Sequence, residues 1–209
     1  MGLLENKIAV ITGSSRGFGL AMARAFASEG ASVVLASRSD AATQIAVESL
    51  RATGAQATGI ACDMSDMAQV EALAEHAIQT YRRFDVWVNN AGISPAYGPT
   101  VHIQAKEFVK TTQTNVLGTY YGSVMALRHF LPRHTGKLIN ILGAGARRPV
   151  PMQSAYASSK AWIRNFTLAL AKEYNKSGVG IYAFSPGMMT TDMLTTVHVV
   201  AGYEHLLKS

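Results

Sequence analysis

The sequence predicts an α/β fold in which one doubly wound parallel sheet of six to seven strands forms a single domain. The chain has 209 residues, of which 48% are hydrophobic and 15% charged, and this composition suits one domain with large buried surfaces. Short β-branched runs, which show no alternation of apolar and polar residues, alternate along the chain with helical patterns. Such runs are typical of parallel strands that helices cover on both faces.

The elements follow in a regular order. The predicted strands are residues 8–12, 32–35, 57–60, 84–88, 137–141 and 180–184. The predicted helices lie near residues 17–29, 41–53, 66–82, 103–131 and 155–177, and their apolar positions recur every three and four residues. Helix-end signals agree with these ranges: Gly30 and Gly54 as stops, Asp66 as an N-cap, and Pro132 after a long helix.

The end of the sequence departs from this regularity. Beyond Gly187 only 22 residues remain, and none forms a clear seventh strand–helix unit. Either the sheet ends on an exposed sixth strand, which invites pairing with another chain, or the sequence is shortened.

Composition and charge exclude several classes of protein. The one cysteine, Cys62, cannot form an internal disulfide, the start of the chain does not resemble a signal peptide, and no apolar run approaches the ~18 residues of a membrane span. The net charge of +6 comes from the second half, but its basic residues are scattered and no nucleic-acid motif accompanies them. We therefore expect a cytoplasmic protein with no membrane or nucleic-acid partner, and no metal site is predicted.

A glycine-rich turn, Thr12-Gly-Ser-Ser-Arg-Gly-Phe-Gly19, leaves the first strand and opens the first helix. Gly13 permits a sharp turn, and Gly17 and Gly19 lack the Cβ that would keep a pyrophosphate from the backbone N–H groups. The strand–turn–helix context favours a dinucleotide-binding, Rossmann-like site over a turn that binds no ligand.

The end of the second strand indicates which nucleotide binds. Dinucleotide folds use a carboxylate there for the ribose 2′-OH, or an arginine for a 2′-phosphate. Here Ser37 and Arg38 stand at that place, and Arg16 in the turn can approach it, whereas the nearby Asp40 is interpreted as a helix N-cap. The prediction is NADP(H), with NAD(H) as the alternative.

Tyr156 and Lys160 stand four residues apart, on one face of a predicted helix. A phenol titrates near pH ~10, and a neighbouring ammonium would lower its pKa so that it can exchange a proton with a reacting oxygen. The pair gains specificity from the preceding glycine turn and from Ser185-Pro-Gly187 at a strand end.

Together these segments resemble the short-chain dehydrogenase/reductase family over nearly the whole chain. The resemblance implies that Tyr156 is the catalytic acid–base, that Lys160 holds the nicotinamide ribose and tunes Tyr156, and that Asn115 anchors a proton-relay water. It further implies a cofactor site made of Gly13, Ser15, Arg16, Gly17, Phe18, Gly19, Ser37, Arg38, Asp63, Met64, Asn90, Ala91, Gly92, Tyr156, Lys160, Pro186, Gly187, Met189 and Thr191. Asp63 and Met64 would face the adenine, and Asn90 the adenosine ribose.

Three of these positions have simpler interpretations. Asn89-Asn90 could be turn-formers at a strand end, Asn115 could accompany a helix bend, and Asp63 could be an N-cap, although Asp66 suits that role better.

One position departs from the family pattern. The family carries a serine thirteen residues before the tyrosine, where this chain has Gly143. Loss of such a donor costs ~1.5–4 kcal/mol, which would slow a reductase roughly ten- to a thousandfold. Three explanations remain open: a bulky substrate uses the vacated volume, a backbone N–H or Ser154 supplies the missing bond, or the protein binds NADP(H) with little catalysis.

The surroundings of Gly143 extend the substrate-site prediction. The Gly143-Ala-Gly145 segment resembles chlorophyll(ide) b reductase-like members, which act on a large macrocycle. Arg147-Arg148 follows near the expected site mouth and is either a clamp for an anionic substrate group or a solvated basic loop. Met188, Met189 and Met193 are either an adaptable pocket lining or ordinary core.

The prediction is an NADP(H)-dependent oxidoreductase that moves hydride between nicotinamide and a carbonyl or alcohol carbon. The alternative is an NADP(H)-binding regulatory protein with weak catalysis. The family resemblance also implies a homodimer or homotetramer assembled through the helices near 103–131 and 155–177.

Overall fold

A computed structural model describes residues 2–187, residue 189 and residues 198–203. Within them, six parallel strands form one sheet in the order β3-β2-β1-β4-β5-β6. The strands are β1 (Ile8–Thr12), β2 (Ser32–Ser37), β3 (Ala57–Ala61), β4 (Val86–Asn89), β5 (Lys137–Ile141) and β6 (Gly180–Phe184). The helices are α1 (Gly17–Ser28), α2 (Asp40–Arg51), α3 (Met67–Tyr81), α4 (Ala105–Thr111), α5 (Gly118–Phe130) and α6 (Ser154–Glu173). The predicted doubly wound α/β fold is confirmed.

Apolar side chains are buried on both faces of the sheet, as the strand composition predicts. On one face, Val10 and Trp87 pack with residues of α3 and α5. On the other, Ile11 and Leu35 pack with residues of α1 and α2. All five residues of β1 are buried, which explains why its sequence is a continuous apolar run closed by one threonine. Each large buried side chain stabilises the fold by about 1.5–3 kcal/mol.

The sixth strand forms one edge of the described sheet. β6 pairs with β5, and no other described strand lies beside it. Tyr182 and Phe184 share one face of β6 because alternate residues do, and they are 50% and 49% exposed. The expected exposed sixth edge is therefore present among the described residues.

Helix starts follow the capping rules, with one correction. Asp66 caps α3, where its carboxylate accepts hydrogen bonds from the backbone N–H groups of Ala68 and Gln69. The interpretation of Asp40 as the cap of α2 is wrong. Ser39 is the cap, since its hydroxyl accepts from the N–H of Ala42, and Asp40 is the first helical residue. A carboxylate in that first turn still stabilises the helix through its dipole.

The predicted helix near 103–131 is interrupted. A π-helical turn, Thr112–Leu117, joins α4 to α5, and a 3-10 turn containing Pro132 follows α5. The hydroxyls of Thr111 and Thr112 donate to the carbonyls four residues earlier, a pattern that bends helices and that the apolar periodicity does not reveal. Asn115 lies inside this π-helical turn, and such turns are frequent at functional sites.

The described residues include the cysteine, the helices and the possible metal ligands on which the expectations from composition depend. Cys62 is 2% exposed, and burial raises its pKa to about 12, so the thiol stays protonated. No helix in this part of the chain is both long and apolar enough to cross a membrane. Nor does this part contain a group of three His, Cys, Asp or Glu side chains arranged to hold a metal ion.

Candidate active site

The candidate site lies where the strand order reverses, between β1 and β4. β1 pairs with β2 on one side and with β4 on the other, so the crossovers leave its carboxyl end in opposite directions. Ligands of open α/β sheets bind in the crevice that this reversal creates. The glycine turn after β1 and residues 90–94 after β4 both start at this point.

The glycines of the turn are required by their surroundings. Gly13 and Gly17 have φ of +64° and +56°, in the left-handed region that favours glycine. A Cβ on Gly13 would lie 2.8 Å from the Cα of Ala91. A Cβ on Gly19 would overlap the carbonyl oxygen of Gly13 and lie 2.6 Å from the side-chain nitrogen of Asn90. The turn therefore presses directly on the chain that follows β4.

No side chain in the described part of the chain caps the N-terminus of α1. Arg16 occupies the N-cap position with an extended backbone and makes no side-chain capping hydrogen bond, and the first turn holds no acidic residue. Ser39 and Asp66 cap α2 and α3 with side-chain oxygens. Since the first N–H groups of a helix have no partner within the helix, an anionic ligand can bind them at α1. Ser15 and Phe18 flank Arg16 in this turn and are half-buried.

Asn90 and Thr12 fix the turn to β4. The Asn90 side chain donates to the carbonyls of Thr12 and Gly13 at 2.9 and 3.0 Å. In return, the Thr12 hydroxyl accepts from the N–H groups of Asn90 and Ala91, both at 3.1 Å. Asn90 is thus more than a turn-former: its side chain closes the glycine turn.

Two segments define the expected adenosine end of the crevice. β2 ends at Ser37, whose hydroxyl bonds that of Thr43 at 2.8 Å, and the next residue, Arg38, is exposed. After β3, the carboxylate of Asp63 accepts from the N–H and the hydroxyl of Ser65. It does not cap α3, because Asp66 does.

Met64 differs from the expectation that it faces the adenine. It is 4% exposed, and a Cβ on Gly118 would lie 2.9 Å from the Cβ of Met64. Its side chain belongs to the core that packs on α5, which leaves the backbone as the part a ligand can contact.

Tyr156 and Lys160 lie on α6 and face the end of β5. The Lys160 ammonium is buried, donates to the carbonyl of Ile141 at 3.0 Å, and lies 5.6 Å from the centre of the Tyr156 ring. Of its three N–H bonds, two remain for a ligand or water. The i, i+4 spacing therefore brings the two groups together, as predicted.

The electrostatics of this pair correct one prediction. Burial lowers the pKa of Lys160 to about 8, and burial raises the pKa of Tyr156 above its ordinary value of 10. The expected lowering of the Tyr156 pKa by Lys160 is wrong for the described residues, because removal of the phenolate from water has the larger effect. At neutral pH the hydroxyl is protonated and can donate a proton.

Asn115 connects the loop after β4 to α6. Its side-chain oxygen accepts from the N–H of Ile93 at 2.8 Å, and its nitrogen donates to the carbonyl of Ile93 and to the hydroxyl of Ser159. A Cβ on Gly92 would lie 3.4 Å from the Asn115 oxygen and 3.6 Å from the Lys160 nitrogen. Asn115 and Lys160 therefore both lie beside Gly92, and Lys160 lies beside Tyr156, so the three predicted catalytic residues are brought together. Asn115 is fully buried and holds the loop in place, so it does more than accompany a bend.

Gly143 lies beside the Tyr156 hydroxyl. A Cβ on Gly143 would overlap the hydroxyl oxygen of Tyr156 and would lie 3.4 Å from the Lys160 Cε. The volume that the missing serine side chain would leave is therefore filled by the tyrosine, contrary to the expectation of extra room for a bulky substrate. The hydroxyl of Ser154, the other side-chain candidate, lies against Thr100, from whose hydroxyl it accepts a hydrogen bond at 2.9 Å.

The remaining predicted positions surround this centre. Arg147 and Arg148 are exposed and directly follow the turn after Gly143. Pro186 and Gly187 follow β6, where the Phe184 ring stacks on that of Phe18 with 6.4 Å between centroids, and Met189 is half-buried. Thr191, Met188 and Met193 lie outside the described residues.

A buried amide network next to the site was not predicted. Asn89 and Asn140 occupy neighbouring positions of β4 and β5, and their side chains are joined at 2.9 Å. Asn89 also accepts from Trp87, and Asn140 donates to Thr167 on α6. The available signal was one asparagine near the end of each strand, which the parallel register places side by side.

Comparison with known proteins identifies the family. The family model for short chain dehydrogenases matches residues 7–199. The 3beta-hydroxysteroid dehydrogenase 1 of Eggerthella lenta is 37% identical over 190 residues, which span 90% of this chain and 72% of that protein. A probable chlorophyll(ide) b reductase of Arabidopsis thaliana is 30% identical over 204 residues, which span 88% of this chain and 41% of that protein.

Solved structures agree with this assignment. The 3-ketoacyl-(acyl-carrier-protein) reductase of Brucella melitensis, complexed with NADH, has a TM-score of 0.88 and 33% identity over 93% of this chain and 80% of that one. A single-residue variant of the actinorhodin polyketide ketoreductase, with NADPH, has a TM-score of 0.88 and 30% identity over 94% of this chain and 76% of that one. On its fold, its site and these matches, the chain belongs to the short-chain dehydrogenase family and is an oxidoreductase of the hydride-transferring type.

Proposed function

We propose that this chain is an NADP(H)-dependent oxidoreductase, built as one dinucleotide-binding domain, that transfers hydride between nicotinamide and a carbonyl or alcohol carbon. The observation that carries the proposal is the convergence of Tyr156, Lys160 and Asn115 next to an uncapped, glycine-lined helix N-terminus. A half-buried proton donor beside an anion-binding turn suits the reduction of a carbonyl by a dinucleotide.

The described residues fit a nicotinamide dinucleotide. Gly13, Gly17 and Gly19 give a phosphate free approach to the first N–H groups of α1, which no described side chain caps. We assign the diphosphate to this turn together with Ser15, Phe18 and Asn90. The loop Ala91–Gly92 with Lys160, and the segment from Pro186 through Gly187 and Met189 to Thr191, are assigned to the nicotinamide half.

Tyr156 is the proposed acid. When bound, the reduced nucleotide supplies a hydride to the carbonyl carbon and is left oxidised. Tyr156 donates the proton that the carbonyl oxygen needs to become a hydroxyl. Since burial raises its pKa, the phenol is in the donating form at neutral pH, which favours the direction of reduction.

Lys160 and Asn115 support the acid in different ways. The two remaining N–H bonds of Lys160 are assigned to the nicotinamide ribose, and its ammonium stabilises the phenolate left after proton transfer. Asn115 is a positioning residue, since its amide holds Ile93 and so fixes Gly92 beside Lys160. The relay water expected from the family remains part of the proposal.

The phosphate on the adenosine ribose decides between NADP(H) and NAD(H). β2 ends at Ser37, and the next residue is Arg38 rather than a carboxylate, while Arg16 opens α1 from the neighbouring turn. A guanidinium can bind a 2′-phosphate by two hydrogen bonds. The similar structures carry either NADH or NADPH, so this assignment rests on Arg16 and Arg38.

On the substrate side, we assign Gly143, Arg147 and Arg148 to the mouth of the site. The two exposed arginines follow the Gly143 turn and could clamp an anionic group of the substrate, the alternative being a solvated basic loop. The Arabidopsis relative makes a formyl-bearing macrocycle one substrate to test, and the Eggerthella relative makes a steroid another.

Gly143 also supports a second candidate function, a nucleotide-binding regulatory protein with weak catalysis. Replacement by serine distinguishes the two. A large gain in turnover in Gly143→Ser would identify a degraded site. A loss is the expected result for an enzyme, because the added Cβ overlaps the Tyr156 hydroxyl.

We also propose that the chain forms a homodimer or homotetramer. The outer faces of α5 and α6 expose Tyr120, Trp162 and Leu168 by 43%, 37% and 42%. Aromatic side chains such as Tyr120 and Trp162 are enriched where proteins associate.

Nucleotide titration and turnover test the proposed function together. We expect NADPH to bind more tightly than NADH, and reduction to be seen with at least one of three probes: an acetoacetyl thioester, a 3-oxosteroid and a formyl-bearing chlorophyll. Tyr156→Phe should lower kcat by about 1000-fold with nucleotide affinity unchanged. The matched control, Tyr182→Phe on the exposed edge strand, should change neither. A folded chain that binds no nucleotide at millimolar concentration would contradict the proposal.

A further inference from the structure

We infer that the backbone N–H of Ala144 donates a hydrogen bond to the substrate oxygen, in place of the serine hydroxyl that this chain lacks. The inference rests on the proposed function, because it concerns the oxygen that Tyr156 protonates. Tyr156 and this backbone N–H would then be the two donors to the substrate oxygen, and the site would not need a serine at position 143.

Residues 143–146 form a tight turn of a defined type. The N–H of Ala146 donates to the carbonyl of Gly143 at 3.2 Å, which closes a four-residue turn. Its third residue, Gly145, has φ +94°, whereas its second residue, Ala144, has no positive φ. This combination defines a type II turn, whose second position accepts proline and whose third favours glycine.

The turn is held rigidly against α6. A Cβ on Gly145 would overlap the Cα and Cβ of Ala157, so the turn lies directly on the helix residue next to Tyr156. Gly145 cannot be replaced without separating the two. The turn and the tyrosine are therefore fixed relative to each other before any substrate arrives.

The Tyr156 hydroxyl lies next to the first peptide group of this turn. A Cβ on Gly143 would overlap the hydroxyl oxygen, so the two positions are in close contact. A Cβ position and the nitrogen of the following residue are about 3 Å apart, which places the amide of Ala144 within about 5 Å of the hydroxyl oxygen. Two donors at that separation can both reach one acceptor at hydrogen-bonding distances of about 2.7–3.0 Å.

The donor is available. Among the described residues, the N–H groups of Gly143, Ala144 and Gly145 donate to no acceptor, and the Tyr156 hydroxyl makes no hydrogen bond. Ala144 is exposed, and Gly145 is pressed onto α6. The hydroxyl of Ser154 lies against Thr100 and accepts a hydrogen bond from it. The amide of Ala144 thus combines proximity, access and an unused hydrogen.

Ala144→Pro removes this single N–H. Proline suits the second position of a type II turn, so the turn should form unchanged. With NADPH and the acetoacetyl thioester or the 3-oxosteroid, we expect kcat/KM to fall on the order of 10–100-fold. The Kd for NADPH and the melting temperature should match the parent. Ala144→Gly, which keeps the N–H and loses only a methyl group, should lose much less activity than Ala144→Pro.

A second replacement removes the same N–H without introducing the proline ring. Lactic acid introduced in place of Ala144 exchanges the N–H for an ester oxygen and keeps the methyl group. It also makes the Gly143 carbonyl, which accepts from Ala146, a weaker acceptor, so the melting temperature is measured beside the activity. The lactic acid variant should lose as much activity as Ala144→Pro. Parental turnover in either variant would overturn the inference, as would equal losses in Ala144→Pro and Ala144→Gly.

The two proposals fail in different ways. A chain that binds no nucleotide contradicts the proposed function itself. A parent that binds NADPH but reduces none of the carbonyl probes contradicts the proposed reductase, and the donor with it. Parental turnover in Ala144→Pro, beside a parent that does reduce a probe, contradicts the donor alone.

Discussion

The turn between β1 and α1 and the turn between β5 and α6 lie at the same edge of the sheet and differ in how they are held. Gly13, Gly17 and Gly19 set the first by backbone geometry, and Asn90 closes it with two hydrogen bonds to its carbonyls. The second is set by Gly145, by contact with α6, and by the side chains of Tyr156 and Lys160.

The two turns are held differently because nucleotide binding and proton transfer make different demands on the residues. A diphosphate contacts N–H groups that nearly every residue carries, so the first turn needs only the absence of side chains. Proton transfer needs particular side chains, each buried at a cost in desolvation. The first turn keeps the family pattern, whereas the second has lost its serine and has filled the space with the tyrosine hydroxyl.

Gly19→Ala should produce the largest effect, on nucleotide binding. The added Cβ overlaps the Gly13 carbonyl and approaches the Asn90 side chain, so the turn must open. Loss of two charge-assisted hydrogen bonds to phosphate, each worth about 1.5–3 kcal/mol, should weaken NADPH binding on the order of 1000-fold. Calorimetric titration measures this directly.

Gly54 provides the control. It has φ +85° and no described atom within 4 Å of its Cβ position, and it lies far from the crevice in sequence and in fold. Gly54→Ala should lower the free energy of unfolding by about 1 kcal/mol and leave the Kd unchanged. If Gly54→Ala weakens binding as much as Gly19→Ala, the crevice is not the nucleotide site.

Lys160→Met should produce the next largest effect, on stability. Burial lowers the Lys160 pKa from 10.5 to about 8, so the ammonium destabilises the folded state by roughly 3 kcal/mol at pH 7. Methionine removes that cost, and the variant should be more stable and inactive. Urea unfolding at pH 7 measures the gain.

The pH dependence of the free energy of unfolding tests whether the buried ammonium is the cause of this gain. Between pH 8 and 10.5 the unfolded parent binds more protons than the folded one, so the stability of the parent rises with pH in that window. The advantage of Lys160→Met should therefore narrow from pH 8 to pH 10.5. Lys172→Met, at an exposed position of the same helix, is the matched control for the loss of a lysine side chain from α6. A pH-independent gain would mean that the ammonium is not the cause.

The fold could be predicted from sequence because its signals are local. Each strand is a short apolar run, as in β1, and each helix has a three- and four-residue period. The π-helical turn at Thr112–Leu117 was missed, because two threonine hydroxyls bonded to the preceding turn leave the apolar period unchanged. Sequence alone does not decide between Ser39 and Asp40 as the cap of α2, since both residue types suit that position.

The candidate site was predictable in its residues and less so in its energetics. The spacing of Tyr156 and Lys160 placed both on one helix face, but the direction of their pKa shifts depends on burial, which spacing does not give. Likewise the sequence showed a glycine where the family has serine. Only the packed structure shows the hydroxyl of Tyr156 in that space.

Asp66→Ala should have the smallest effect and sharpens the comparison among helix starts. At α3 the carboxylate occupies the N–H groups that α1 leaves open, so its loss should lower the melting temperature by about 2–4 °C and leave nucleotide binding unchanged. Asp66→Asn, which still offers a capping oxygen, should lose less. Hydrogen bonds from the side chain and backbone of Gln69 hold the pKa of Asp66 below its ordinary value of 3.8. The carboxylate therefore stabilises α3 above pH ~4, and its contribution is lost as the pH falls through the lowered pKa. A melting-temperature gap that does not narrow in acid would show that the cap acts without its charge, and a change in NADPH affinity would show that α3 belongs to the nucleotide site after all.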